Sequence, residues 1–469
     1  SFGAIEQLCS TNLPTSRPWE YLARMQHLDP LLWPNTATIQ ADGHLMVGGC
    51  DVVTLAHEQQ TPLYILDETT FRETAARFIE GLQRIYPGAS SVHYASKALL
   101  NTGIAQLAAS YGLGLDCVSL GELAVARHAG VPAEHLHLHG NAKPRRELQQ
   151  ALAWGVSRII VDSLDELHLL AELTQKRDRP QPILLRLNPG IDVHTHAHIQ
   201  TGQLDSKFGL PITTGMALEA AEIALKAPGL ELVGIHAHLG SQIDDLAPLA
   251  LGIERLLDFA ADLHARFGWQ LQELSPGGGL AVPYQSDDPA PDIDAYVTTL
   301  AQAVVSGCER RGWALPRLVI EPGRSLIARA IVALYEVVAV KTIPDVRTFV
   351  AVDGGMGDNI RPALYNARYS ALRADAATAT ATTSVTIVGR YCESGDVLLR
   401  DVMLPPLKDG ALLAMPMAGA YTLSMASTYN LVPRPALVLV RDGQVQVLQR
   451  RETVDDLVQR DATIANLSE

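Results

Sequence analysis

The sequence predicts an α/β fold joined to a β fold: a TIM-type (β/α)8 barrel with a second, antiparallel β domain assembled from both chain ends. Three observations predict it. Eight short apolar runs follow one another between residues 91 and 321, and each of the first seven is trailed by a helical stretch. Beyond Arg324 the texture changes to closely spaced strands and turns, and a hairpin pattern of the same character precedes the first helical segment.

Residues 1–35 mix Pro, Ser, Thr and polar residues without sustained periodicity and read as an N-terminal extension. ATIQADGHLMV (37–47) reads as two short strands around an Asp42-Gly43 turn, so residues 36–60 are assigned to the β domain. From Thr61, PLYIL reads as a strand, and Phe71, Ala75, Phe78, Ile79, Leu82 and Ile85 recur at helical spacing up to Pro87-Gly88. The barrel is placed at residues 61–321. Its eight runs are SVHYAS (91–96), LGLDCV (113–118), HLHLH (135–139), RIIVD (158–162), ILLRLN (183–188), LVGIHAH (232–238), LQELS (271–275) and RLVIE (317–321). Ser119 with Glu122, and Ser163 with Glu166, give the S-x-x-E pattern of a capping box. Residues 322–469 supply the rest of the β domain and include a hairpin turned at Asp442-Gly443; ADAATATATTS (374–384) reads as an exposed loop.

Composition narrows the function. Of 469 residues, 47% are hydrophobic and 19% charged, which is globular. A formal charge of −14 disfavours nucleic acid and anionic membranes as partners. Cys9, Cys50, Cys117, Cys308 and Cys392 include no C-x-x-C pair, which argues against a disulfide framework and a structural zinc. No apolar stretch reaches membrane-spanning length, and no basic region followed by an apolar run opens the chain. A soluble cytoplasmic protein is expected, or one of an organellar stroma where a transit segment has been removed.

A β/α barrel works at the carboxyl ends of its strands. The residues there are Lys97, Asp116, His139 with Asn141, Asp162, Arg186 with Asn188, His238 with Ser241, Gly277 to Gly279, and Glu321 with Arg324. An amine such as Lys97, held among apolar groups and other cations, loses proton affinity and can capture an aldehyde; taken alone, a lysine ending a strand is usually a solvated end residue. SPGGGL puts backbone N–H groups where an anionic phosphate could approach, or simply makes a tight turn. Glu321 could hold a pyridine nitrogen protonated, or pair with Arg324. HLHLHG, HTHAH and GIHAHLG invite a metal-hydrolase reading, but no cluster is joined in sequence by carboxylate ligands and a water-activating base, so no metal is assigned. His135, His137, His194 and His198 read as surface or strand-end residues. Cys392 and Glu393 set a thiol beside a carboxylate, a proton donor and a possible ammonium holder.

In order along the chain stand HYASK, GLDCVSLGEL, HGNAK, RLNPG with SKFG, HAHLGSQ, PGGGL, EPGRS, DGGMGDNIRPALY, CESGD and GAYTLSMASTYN. This set, from about residue 37 to 441, resembles the fold-type III pyridoxal-phosphate decarboxylases with an alanine-racemase-like barrel, and within them the enzymes acting on diaminopimelate. The resemblance implies pyridoxal 5'-phosphate as cofactor, carried by Lys97, with His238 against its ring and Glu321 at its pyridine nitrogen. Asp116, Ser241, Gly277, Gly278, Gly279, Pro322, Gly323, Arg324 and Tyr421 complete the implied cofactor site. Arg324, Arg361, Tyr365, Glu393 and Tyr421 match substrate-binding positions, and Cys392 the candidate donor of the Cα proton, a role Lys97 shares. The implied reaction converts meso-2,6-diaminopimelate to L-lysine and carbon dioxide, the last step of lysine synthesis. Cys392 and Glu393 would enter a neighbour's site, so a homodimer with shared active sites is implied.

The chain departs from the family pattern at Ser275-Pro276, where Asp and an aliphatic residue are commoner, at Arg390-Tyr391, where Pro-Ile is usual, and at Asn366, where Asp is common. A related decarboxylase of ornithine, lysine or arginine is the nearest rival, and would need an acid rather than arginines at the substrate's far end. A catalytically silent regulator of the same fold is the rival from another class; it has no chemical need for Lys97, Glu321, Cys392 and Glu393 together.

Overall fold

A computed structural model describes residues 28–191 and 206–464. Eight parallel strands form a closed ring: Ser90–Ala95, Gly114–Cys117, Leu136–Leu138, Arg158–Val161, Gln181–Asn188, Leu230–His236, Glu273–Gly277 and Arg317–Ile320. Arg317–Ile320 closes on Ser90–Ala95, and every neighbouring pair is parallel because a helical crossover separates each from the next.

The helices form where apolar residues recur on one face. Glu68–Ile85 buries Phe71, Thr74, Ala75, Phe78 and Leu82, is capped by the Asp67 carboxylate accepting from the Thr70 N–H at 3.1 Å, and meets Ile293–Arg311 through Phe78 edge-on to Tyr296. Ser119 and Ser163 cap their helices as expected, accepting from Glu122 N and Glu166 N at 3.2 Å. The glutamates complete no capping box. Glu122 takes the Val118 N–H at 2.7 Å and Glu166 the Asp162 N–H at 3.1 Å, each one residue before the cap, and Glu166 also takes the buried Lys143 ammonium at 2.9 Å. They hold the strand ends to the helices and thereby stiffen the rim.

The second sheet runs Val397–Leu404, Thr383–Val388, Arg347–Val352, Ile331–Ile343, Leu63–Asp67, Ala436–Arg441, Gln444–Gln449, with Leu412–Met415 also on Ile331–Ile343. Two expectations change here. Leu63–Asp67, expected inside the barrel segment, lies between Ile331–Ile343 and Ala436–Arg441 in this second sheet. The sheet is also mixed: Leu63–Asp67 is parallel to Ala436–Arg441, and Arg347–Val352 to Thr383–Val388. Only strands joined by a tight turn are bound to run antiparallel, and neither pair is so joined. The 37–47 hairpin forms a small sheet of its own with Cys50–Asp51, tied to Ala374 and Ala377 by backbone hydrogen bonds; those two alanines are buried, so the low-complexity segment is exposed only beyond them. The Asp442-Gly443 turn has positive φ at both residues, as a two-residue hairpin requires.

Inside the ring, strand alternation sets Ile160, Leu184 and Val233 apart from the main core as a small apolar cluster. The interior also holds buried polar residues: His93, Asp116, His137, His139, His236, Ser275 and Glu321. His137 is thus no surface residue, whereas His135 is exposed; His194 and His198 lie outside the described residues. Gly114 leaves room for this layer, since a Cβ there would lie 2.6 Å from the His93 ring. At the opposite strand ends, Arg158 crosses to Glu273 with hydrogen bonds of 3.0 and 3.1 Å.

Candidate active site

A cavity of about 830 Å³ opens at the carboxyl ends of the barrel strands. Lys97, Asp116, His139, Arg186, His236, His238, Ser241, Gly279, Glu321, Gly323, Arg324 and Tyr421 line it. Lys97 sits on the single turn Ser96–Ala98 that ends the first barrel strand, exposed to the cavity. Enclosure by the walls, then the Arg186 guanidinium, holds its amine below the usual lysine value, against the opposing pull of Glu321 and Asp116. The same enclosure, with Lys97 and Arg186 beside it, pushes the His238 imidazole down to about 3 and keeps it neutral.

Glu321 accepts from Ser275 Oγ at 2.6 Å and faces His236 Nε2 at 3.1 Å. Burial opposes its charge, but His236 and His139 outweigh that and Asp116, and its carboxyl lies at about 2. Asp116 lies behind, 3.2 Å from His93 and 3.4 Å from His139, and the two histidines hold it ionised despite burial. The fold therefore brings carboxylates to histidines that the sequence leaves separate. His93, Asp116 and His137 form one group with ligand atoms within 4.8 Å of one another, and His139, His236 and Glu321 a second. In the first, the His93 and His137 ring centroids lie 3.9 Å apart with their planes tilted by 35°. In the second, Glu321 is engaged at both oxygens.

The glycine triplet is dictated by close backbone approach. A Cβ on Gly278 would lie 2.1 Å from the Glu321 carbonyl, one on Gly279 2.5 Å from that of Gly240, and one on Gly277 2.7 Å from that of Ala237. The triplet clamps the HAHLG and EPG segments into one wall. Tyr421, whose N–H reaches the Ala98 carbonyl at 2.9 Å, has φ +60°, a conformation a bulky residue holds only under surrounding constraint.

Arg324 donates to Ser241 Oγ at 3.2 Å and Tyr284 Oη at 2.9 Å and lies over the Tyr421 ring at 4.7 Å. The buried Arg361 donates to Tyr369 Oη at 2.5 Å and lies over the Tyr284 ring at 4.6 Å. Tyr284 thus joins the two arginines. The loop ahead of Arg361 is anchored by Asp358, which takes hydrogen bonds from Tyr335, Tyr64 and Gly355 N; burial raises its carboxyl to about 6.

Tyr365, Cys392 and Glu393 are exposed and do not line the cavity. Nor do Gly277, Gly278, Pro322 and Arg361, which stand behind its wall. The Cys392 N–H donates to Asn430 Oδ1 at 2.9 Å, with exposed Tyr429 and Leu431 beside it. Two sequence departures have local accounts: Tyr391 is buried against Gly357 and stacks with Tyr429, and Asn366 ends the helix Arg361–Tyr365 in the left-handed region that Asn tolerates. The sequence by itself assigns no role to His139, Arg186, His236 and Tyr284. Strand-end position marks the first two and period-two alternation with His238 the third, while Tyr284 lies in a loop with no periodic signal.

The family model described as "Pyridoxal-dependent decarboxylase, pyridoxal binding domain" matches residues 71–328. Diaminopimelate decarboxylase of Bacillus subtilis is 43% identical over 420 residues, covering 89% of this chain and 95% of the relative. The Synechocystis enzyme of the same name is 42% identical over 440 residues and 92% of each chain. Among solved structures, diaminopimelate decarboxylase from M. jannaschii in complex with L-lysine superposes with a TM-score of 0.88 at 33% identity, covering 93% of this chain and all of the other.

Proposed function

The chain belongs to the pyridoxal-dependent decarboxylase family, and on that premise we propose that it removes the carboxylate at the D centre of meso-2,6-diaminopimelate, giving L-lysine and carbon dioxide, the last step of lysine synthesis. The observation that carries the proposal is one cavity bearing Lys97 and Glu321, with the Arg324–Tyr284–Arg361 assembly on its flank.

The side chains fit pyridoxal 5'-phosphate: an amine of lowered proton affinity, an ionised acceptor opposite, and a glycine-built wall. Bound there, the cofactor supplies an aldehyde for amine capture and a protonated ring that accepts the electron pair left by carbon dioxide. Lys97 would carry it, and its amine would hold a proton within the cavity. His238, neutral, offers a flat face. Glu321 would hold the ring nitrogen protonated, with Asp116 and its histidines behind. Ser241, Gly277 to Gly279, Pro322, Gly323 and Tyr421 would surround the phosphate. Arg324 and Arg361, with Tyr365, would receive the distal carboxylate, whereas a decarboxylase of ornithine or lysine would need an acid there. The purified chain supplied with cofactor should form lysine and carbon dioxide in equal amounts from meso-diaminopimelate; failure to form either overturns the proposal.

Glu393, for the distal ammonium, and Cys392, as a proton donor, are proposed to enter the site of a second copy, which accords with their exposure. Mixing inactive Lys97→Ala with inactive Glu393→Ala protein should then restore activity, because a mixed dimer carries one site with both native residues. Verified subunit exchange without recovery would mean that each chain completes its own site.

A further inference from the structure

We infer that Ser275 is a positioning residue for Glu321: its hydroxyl and the His236 imidazole take one carboxylate oxygen each, so that Glu321 stays ionised and presents acceptor lone pairs to the cavity. The inference deepens the function proposed above and rests on it.

The hydrogen-bond directions are determined by elimination. Ser275 Oγ accepts from the Gly277 N–H at 3.2 Å, which directs its single hydrogen to Glu321 Oε1 at 2.6 Å. An ionised carboxylate only accepts, so His236 must present an N–H at Nε2, 3.1 Å from Oε2. His236 Nδ1 is buried and has no hydrogen-bond partner. A neutral imidazole leaves a bare nitrogen there, whereas an imidazolium would orphan a buried N–H, which costs more. Burial, moreover, holds His236 neutral. The groups facing Glu321 are therefore Ser275 and His236 at its oxygens, His139 at 3.9 Å, Asp116 behind it, and the Lys97 and Arg186 cations across the cavity.

Ser275 is one of the positions at which this chain departs from the pattern it resembles, where Asp is commoner. A carboxylate at 275 would face Glu321 with like charge and make the pair share a proton. The serine donates instead, so the Glu321 charge does not depend on a shared proton.

The test compares Ser275→Ala, Ser275→Thr and Ser275→Asp as holoenzymes. Loss of one hydrogen bond to a charged group is expected to lower kcat about tenfold in Ser275→Ala with little change in KM, and threonine should restore most of it. Ser275→Asp should move the acid limb of the kcat profile to higher pH, since a second carboxylate raises the Glu321 value. The visible absorbance of the bound cofactor, titrated without substrate, should move in the same direction, and this readout stands whatever the substrate proves to be. Native kcat and a native titration in both Ser275→Ala and Ser275→Asp would overturn the inference, as would a fall in melting temperature alone. A native holoenzyme inactive on diaminopimelate would instead count against the proposed function.

Discussion

Replacing Lys97 by alanine should remove the visible absorbance of the bound cofactor and lower turnover by roughly a thousandfold or more, because on the proposed assignment the chain loses both its covalent attachment point and an amine that can hold the Cα proton. The protein should still fold. Lys97 is exposed to the cavity and contributes nothing to the apolar core, which is built from residues such as Tyr94, Ala98 and Leu99 around it. Melting temperature and far-ultraviolet circular dichroism check that point. Unchanged cofactor absorbance in a folded Lys97→Ala protein would place the aldehyde elsewhere.

Arg361 should govern the choice of substrate. Its guanidinium is buried between Tyr284 and Tyr369, and Tyr284 in turn accepts from Arg324, so the two cations are held as a unit beside the cavity. On the proposed assignment diaminopimelate brings a distal carboxylate to that unit, and lysine or ornithine does not. Losing one partner of a buried, charge-assisted contact costs ~2–5 kcal/mol, a discrimination of roughly thirtyfold or more. Arg361→Ala should therefore weaken kcat/KM for diaminopimelate by at least that factor while the cofactor absorbance persists. Arg361→Lys, which keeps the charge but not the planar stack, should recover only part. Undiminished efficiency in Arg361→Ala, or comparable turnover of ornithine by the native protein, would favour the rival decarboxylase.

Much of this was legible in the chain because barrels put chemistry at strand ends: Lys97, Glu321, Arg324 and the glycine triplet could all be found by reading the residues after each apolar run. What escaped did so for physical reasons. Leu63–Asp67 is buried along its whole length, so its pattern suits either sheet, and its partners in the second sheet are some 270 and 370 residues away. HLHLH places alternate histidines on one face but does not say whether that face is turned into the barrel; the contacts with Asp116 and with the His93 ring decide it for His137. Glu122 and Glu166 carry the spacing of a capping box, yet each found a neighbouring N–H that also secures a strand end. Tyr284 joins two arginines from separate elements, a relation visible only once the chain is folded. Tyr365, Cys392 and Glu393 do not line the cavity in one chain, and the roles proposed for Cys392 and Glu393 rest on a second.

The most direct test of the central claim follows a carboxyl carbon. Meso-diaminopimelate labelled with carbon-13 at the D-centre carboxylate, incubated with the purified chain and pyridoxal phosphate, should release the label as carbon dioxide and leave unlabelled L-lysine; label retained in the amino-acid product, or no carbon dioxide at all, would contradict the account.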